Sequence, residues 1–146
     1  MLFSQDRSQL RRFYCQAWKR FRGGEKLQPL EQLIAEVVTI HPEYHSLLEQ
    51  EAATEQEFIP ELGESNPFLH LSLHLAVREQ ASNDRPQGIG TLYQQFISKT
   101  GDIHEAEHGM MECLAEMLWK STRKGIPPDE AAYLDCLKKY LKIKKI

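Results

Sequence analysis

Residues 102–121, DIHEAEHGMMECLAEMLWKS, constrain the fold more than any other stretch. Gly101 breaks what precedes them, and Asp102 offers a carboxylate to the unpaired N–H groups of a first helical turn. Helical spacing then places His104, Glu107, His108 and Met111 on one face, which continues as Ala115 and Leu118 beside Leu114. That face is the apolar one. Two imidazoles and a carboxylate therefore point where a core belongs, and core positions rarely hold such groups unless they are paired or bind metal.

The pattern recurs. All six histidines fall into pairs four residues apart: His41/His45, His70/His74 and His104/His108. Side chains four apart on a helix stand one above the other, so both rings of a pair can reach a shared centre. Each buried polar group left unpaired costs about 1–3 kcal/mol, against a domain stability of about 5–15 kcal/mol. A structural metal returns about 10–16 kcal/mol to a fold. The expectation is a metal site held by His41, His45, His70, His74, His104, Glu107 and His108, with Glu43, Glu49, Glu105 and Glu112 near enough to orient the rings.

The rest of the chain reads as helices. Ser4 or Asp6 can cap a first one, with Leu10, Phe13, Tyr14, Ala17, Trp18 and Phe21 at core spacing, stopped by Gly23–Gly24. Pro29 opens a second, with Leu30, Leu33, Ile34, Val37 and Val38 as its apolar stripe. Pro42 interrupts it and disfavours helical geometry at His41, so the first histidine pair is the least secure. Residues 52–65 are polar and read as a surface connection. Asn66–Pro67 begins a third helix, FLHLSLHLAV (68–77), apolar almost all round and therefore central. Alternation from Leu69 to Leu75 also fits a strand, but the cap and the histidine spacing favour helix. A turn cluster at 82–90 leads to a helix over 91–99, then to the 102–124 helix, which ends at Gly125. A last helix from Asp129 buries Ala132, Tyr133, Cys136, Leu137 and Leu141, and the lysine-rich tail reads as a solvated end. The expected fold is all-α: a single domain over 1–146, a bundle of five or six helices.

Composition narrows the function. A net charge of −3 argues against a general nucleic-acid binder, and no segment is long and apolar enough to span a bilayer. Three cysteines without CxxC spacing argue against a disulfide framework, which makes a reducing cytoplasm the simplest location. GxSxG, HExxH and glycine-rich phosphate loops are absent from the sequence.

The paired histidines are similar in kind to those of hemerythrin-like di-iron bundles, although the full order of His, Glu and Asp ligands is not matched. Separately, NPFLHLSLHLAVREQ (66–80), DRPQGI (84–89) and MMECLAEMLWKSTRKGIPPDE (110–130) resemble a bacterial family catalogued as a domain of unknown function. That resemblance covers most of the chain; it implies a small bacterial cytoplasmic protein and brings no activity.

Six histidines and an inward Glu exceed the four ligands of one zinc, so the sequence points to two metal ions. Iron is the first expectation, in a non-haem centre that binds or activates oxygen or a related small molecule. Glu107 would bridge the ions and Tyr44 would lie beside them. The alternatives are a zinc- or manganese-dependent hydrolase, with Glu107 or Glu112 as general base, and a non-enzymatic interaction module with structural histidines. The expected partner is a small-molecule ligand or substrate, with neither nucleic acid nor membrane. Cys113, Met110, Met111, Met117, Trp18 and Trp119 are assigned to packing.

Overall fold

Helices form where the apolar period and the end signals coincide. The computed structural model of the chain describes residues 4–50, 54 and 66–143. The helices among them are α1 (Ser4–Arg22), α2 (Pro29–Thr39), a 3-10 turn (Pro42–Tyr44), the single-turn α3 (His45–Leu48), α4 (Pro67–Asn83), α5 (Ile89–Thr100), α6 (Ile103–Lys124) and α7 (Glu130–Ile143). No strand occurs among the described residues, and the fold class is all-α. The described residues hold seven α-helices rather than the five or six expected. The difference arises at Pro42, which ends α2, starts the 3-10 turn and leaves α3 as a separate turn of helix. Apart from Thr54, the connection expected over 52–65 lies outside the described residues.

The end signals act as their chemistry requires. Asn66 Oδ1 accepts from the backbone N–H groups of Phe68 and Leu69 at 3.0 and 3.2 Å, which settles 69–75 as helix. Asp102 accepts from Glu105 N–H at 3.1 Å, and Gly101 closes α5 in the left-handed region. No helix among the described residues is long and apolar enough to cross a membrane.

The chain divides into two compact units, Met1–Ser72 and Leu73–Ile146, with α4 contributing to each. In the first unit α1 packs on α2, and Tyr14, Ala17, Trp18, Ile34, Val37 and Val38 are buried. Tyr14 stacks on Phe68 and shares a 2.6 Å hydrogen bond with Ser72, so the start of α4 is held by α1.

In the second unit α5, α6 and α7 pack pairwise around Ile89, Leu92, Phe96, Met110, Leu114, Tyr133 and Leu137. The contact of α6 with its neighbours requires a glycine. A Cβ on Gly109 would lie 3.0 Å from the Tyr140 ring and 3.1 Å from the Phe96 ring, closer than side chains ordinarily approach. The buried stripe of α6 runs through Met110, Cys113 and Leu114, whereas Ala115 and Leu118, expected on it, are exposed. Ala132 of α7 is exposed as well. A further correction concerns the cysteines. Cys113 of α6 and Cys136 of α7 are joined as a disulfide, their Cα atoms 5.8 Å apart. The 23-residue separation carried no sign of this; the antiparallel return of α7 brings the two together.

Phe96 is 1% exposed and stacks on Tyr140. Phe96→Ala is expected to cost about 3–5 kcal/mol. Replacing the 40%-exposed Leu118 by Ala should change stability by less than about 0.5 kcal/mol. Urea unfolding followed by circular dichroism measures both.

Candidate metal centre

The Leu73–Ile146 unit gathers three imidazoles. His74 comes from α4, and His104 and His108 come from successive turns at the start of α6. The ring centroids of His104 and His108 are 4.2 Å apart, and His74 lies 5.4 and 5.0 Å from them. Each ring offers one nitrogen within 4.8 Å of those of the other two, a histidine cluster that could hold a metal ion. His74 is fully buried, while His104 and His108 are half-buried.

Glu107 organises the cluster. Its side chain is fully buried, and both oxygens are occupied. Oε1 accepts from His74 Nδ1–H at 2.9 Å; Oε2 accepts from Arg78 Nε–H at 2.8 Å and from the Tyr93 hydroxyl at 2.6 Å. Burial alone would raise the Glu107 pKa. The three donors and the Arg78 charge outweigh it and hold the carboxyl below the ordinary carboxylate range. The Glu107 bond also assigns the His74 tautomer: with Nδ1 carrying the proton, Nε2 carries the lone pair. A carboxylate behind a ligating imidazole is the usual way a metal ligand is oriented and made more basic. Burial, and then the nearby His104 and His108's other neighbour His74, keep the His108 pKa below its usual value, so the ring is neutral near pH 7. Burial, and then the bond to Glu107, raise the Tyr93 pKa, so Tyr93 is a proton donor at neutral pH.

The Met1–Ser72 unit holds the other histidines. His41 sits at the break before Pro42, yet its ring is fully buried. Its Nδ1–H donates to the Val37 carbonyl at 2.7 Å, and the ring stacks on Tyr44. Its Nε2 lies 3.2 Å from His70 Nε2, so an irregular backbone still brings these two imidazoles together. His45 behaves differently. Its Nε2–H donates to the Val38 carbonyl at 2.8 Å, and its ring packs 4.5 Å from Trp18, as in a structural histidine.

The carboxylates expected to orient the rings are placed elsewhere. Glu49 accepts from Trp18 Nε1–H and pairs with Arg22; Glu112 accepts from the Tyr140 hydroxyl; Glu43 and Glu105 are exposed. The sequence reading missed Arg78 and Tyr93. Arg78 had a signal, since it follows His74 by four residues on α4 and so shares its face. Tyr93 had none, because its role depends on how α5 lies beside α6.

A family model described as Domain of unknown function (DUF1841) matches residues 6–139. No curated protein and no solved structure matches the chain.

Removing the carboxylate while keeping its donors buried should be costly. Glu107→Ala is expected to destabilise the protein by about 3–5 kcal/mol, the range for breaking a buried charge pair. The sign with pH follows from the lowered pKa. The contribution is complete above the ordinary carboxylate value of about 4.3 and is lost as pH falls toward the folded-state value. The stability difference between wild type and Glu107→Gln, measured by urea unfolding, should therefore shrink as pH is lowered from neutral through that range.

Proposed function

We propose that this chain, which belongs to the DUF1841 family, is a transition-metal protein with a single-ion centre on His74, His104 and His108 and a coordination position open to a small molecule. The observation that carries this reading is the buried Glu107–His74 bond within a cluster of imidazoles. A hydrogen-bonded core alone does not require three rings to face one another; an ion does.

Zinc is the ion this donor set fits best. Catalytic zinc sites use three protein ligands and leave one position open, and an all-imidazole set is among them. Mononuclear non-haem iron sites commonly use two histidines and a carboxylate as direct ligands. Here the carboxylate stands behind a histidine, with three donors on its oxygens, rather than in a ligand position. The same engagement weighs against Glu107 as a bridge between two ions. Metal–nitrogen bonds of about 2.0–2.1 Å with tetrahedral angles separate ligand atoms by about 3.3 Å. Closing from at most 4.8 Å falls to His104 and His108, which lie nearer the surface, while His74 is held by Glu107.

A bound zinc ion lowers the pKa of a water it holds to about 7, which suits hydrolysis of a small electrophilic substrate. On this reading His74, His104 and His108 bind the ion, Glu107 sets the His74 tautomer, and Arg78 and Tyr93 keep Glu107 ionised and in place. His41 and His70 share a 3.2 Å Nε2–Nε2 hydrogen bond and are left out of this ligand set. His45, spent on Val38, is left out of the ligand set. The oxygen-binding reading requires a pair of iron ions and with them visible absorbance.

Protein purified without a histidine tag should contain about one equivalent of zinc per chain and be colourless. His74→Ala and His108→Ala should each remove the metal, and Glu107→Gln should weaken binding by about 10–100-fold. Less than half an equivalent after reconstitution, by elemental analysis, would refute the centre. Coloured protein with two irons per chain would replace zinc by the oxygen reading.

A further inference from the structure

We propose that Cys136 is a thiol-exchange site, at which a small-molecule thiol opens the Cys113–Cys136 bridge and makes the attachment of α7 to α6 responsive to redox conditions. The inference is independent of the metal centre. Its starting point is the unequal burial of the two sulfurs. Cys113 is 2% exposed within the core of the Leu73–Ile146 unit, whereas Cys136 is only half-buried. Exchange requires a thiolate to approach the attacked sulfur from behind, along the S–S axis. Cys113 belongs to the buried core cluster and is almost closed to solvent. Cys136 is part-exposed and borders a surface cavity, with Glu116 Oε2 3.7 Å from its Sγ.

A place for the incoming thiol exists. A cavity of about 190 Å³, lined by Met117, Lys120, Ile126 and Tyr133 together with both bridged cysteines, opens beside the disulfide. It can admit a thiol of amino-acid size or the thiol end of a small peptide, and is too small for a protein thiol to enter whole.

The chemistry balances without any further reagent. The lone pair of the small thiolate forms a bond to Cys136 Sγ, and the bond from Cys136 to Cys113 breaks. Cys113 leaves as a thiolate and takes a proton from water in the cavity that both residues line. A second small thiol then attacks the small-molecule sulfur of the mixed disulfide, and Cys136 departs and is protonated. Two small thiols become one small disulfide, and the protein disulfide gains two electrons as two thiols. The reverse uses the small disulfide as oxidant. Reclosure is favoured because α6 and α7 stay packed through other groups, including the Tyr140–Glu112 hydrogen bond and the Phe96–Tyr140 stack. The packed helices keep the Cα atoms of Cys113 and Cys136 near their 5.8 Å separation, within bridging range. Cys15, half-buried in α1, is a bystander.

The test uses the full chain carrying Cys15→Ser, incubated natively with reduced glutathione and glutathione disulfide at increasing ratio, quenched in acid and mapped by peptide mass spectrometry. The expected result is a mixed disulfide on Cys136, a fraction of opened bridge that rises with the ratio, and reclosure when glutathione disulfide is restored. The urea midpoint of the opened form should be lower. Adding Cys113→Ser should trap one glutathione adduct on Cys136. Adding Cys136→Ser should leave Cys113 unmodified until denaturant is added. A bridge that stays closed at every ratio and opens only in denaturant would overturn the proposal, and so would an adduct on Cys113. If either added variant fails to fold, the mapping of the Cys15→Ser protein decides by itself.

Discussion

The Glu107 carboxylate is the group on which the Leu73–Ile146 unit depends. An ionised carboxylate removed from water costs several kcal/mol, and this one is fully buried. Two elements supply the compensation to a third. His74 and Arg78 reach it from α4, Tyr93 from α5, and Glu107 itself belongs to α6. The consequence is geometric as much as energetic. Each donor must arrive with the right approach, so the carboxylate fixes how these helices are turned about their axes. Apolar contacts between the same helices would tolerate small rotations; the hydrogen bonds tolerate few.

The same arrangement shows why a buried charge can serve a site. The imidazole of His74 is presented with one nitrogen committed and the other directed by that commitment. His104 and His108 lie nearer to solvent. One imidazole held by a buried carboxylate and two nearer the surface make up the cluster that could hold an ion. In the Met1–Ser72 unit, by contrast, His41 and His45 donate to the Val37 and Val38 carbonyls at the C-terminal end of α2, and the Val38 carbonyl also accepts the His41 backbone N–H.

Most of the fold was legible because its signals are local. Asn66, Asp102, Gly101 and Gly125 mark helix ends by side-chain or backbone chemistry that a sequence displays directly. The histidine face of α6 was legible for the same reason, through spacing. What escaped depends on neighbours. The outward turn of Ala115 and Leu118 follows from α7 lying against Met110, Cys113 and Leu114. The Cys113–Cys136 bridge requires the return path of α7, and Tyr93 requires the rotation of α5. Glu107 was recognised as inward-facing but assigned to the ion; only the positions of Arg78 and Tyr93 reveal that its oxygens are already engaged. His41 was doubted on sound local grounds, and its inward ring reflects a carbonyl donation that no spacing rule encodes.

Gly109 follows His108 directly, and successive helical residues are turned about 100° from one another. The notch left by its missing side chain receives the Tyr140 and Phe96 rings. Two aromatic rings seated against bare backbone act as a detent for α6, holding the helix at one angular setting. That setting in turn aims the imidazole of His108. A residue with no side chain, on a different flank of the helix from the imidazoles, thus helps to aim the histidine cluster.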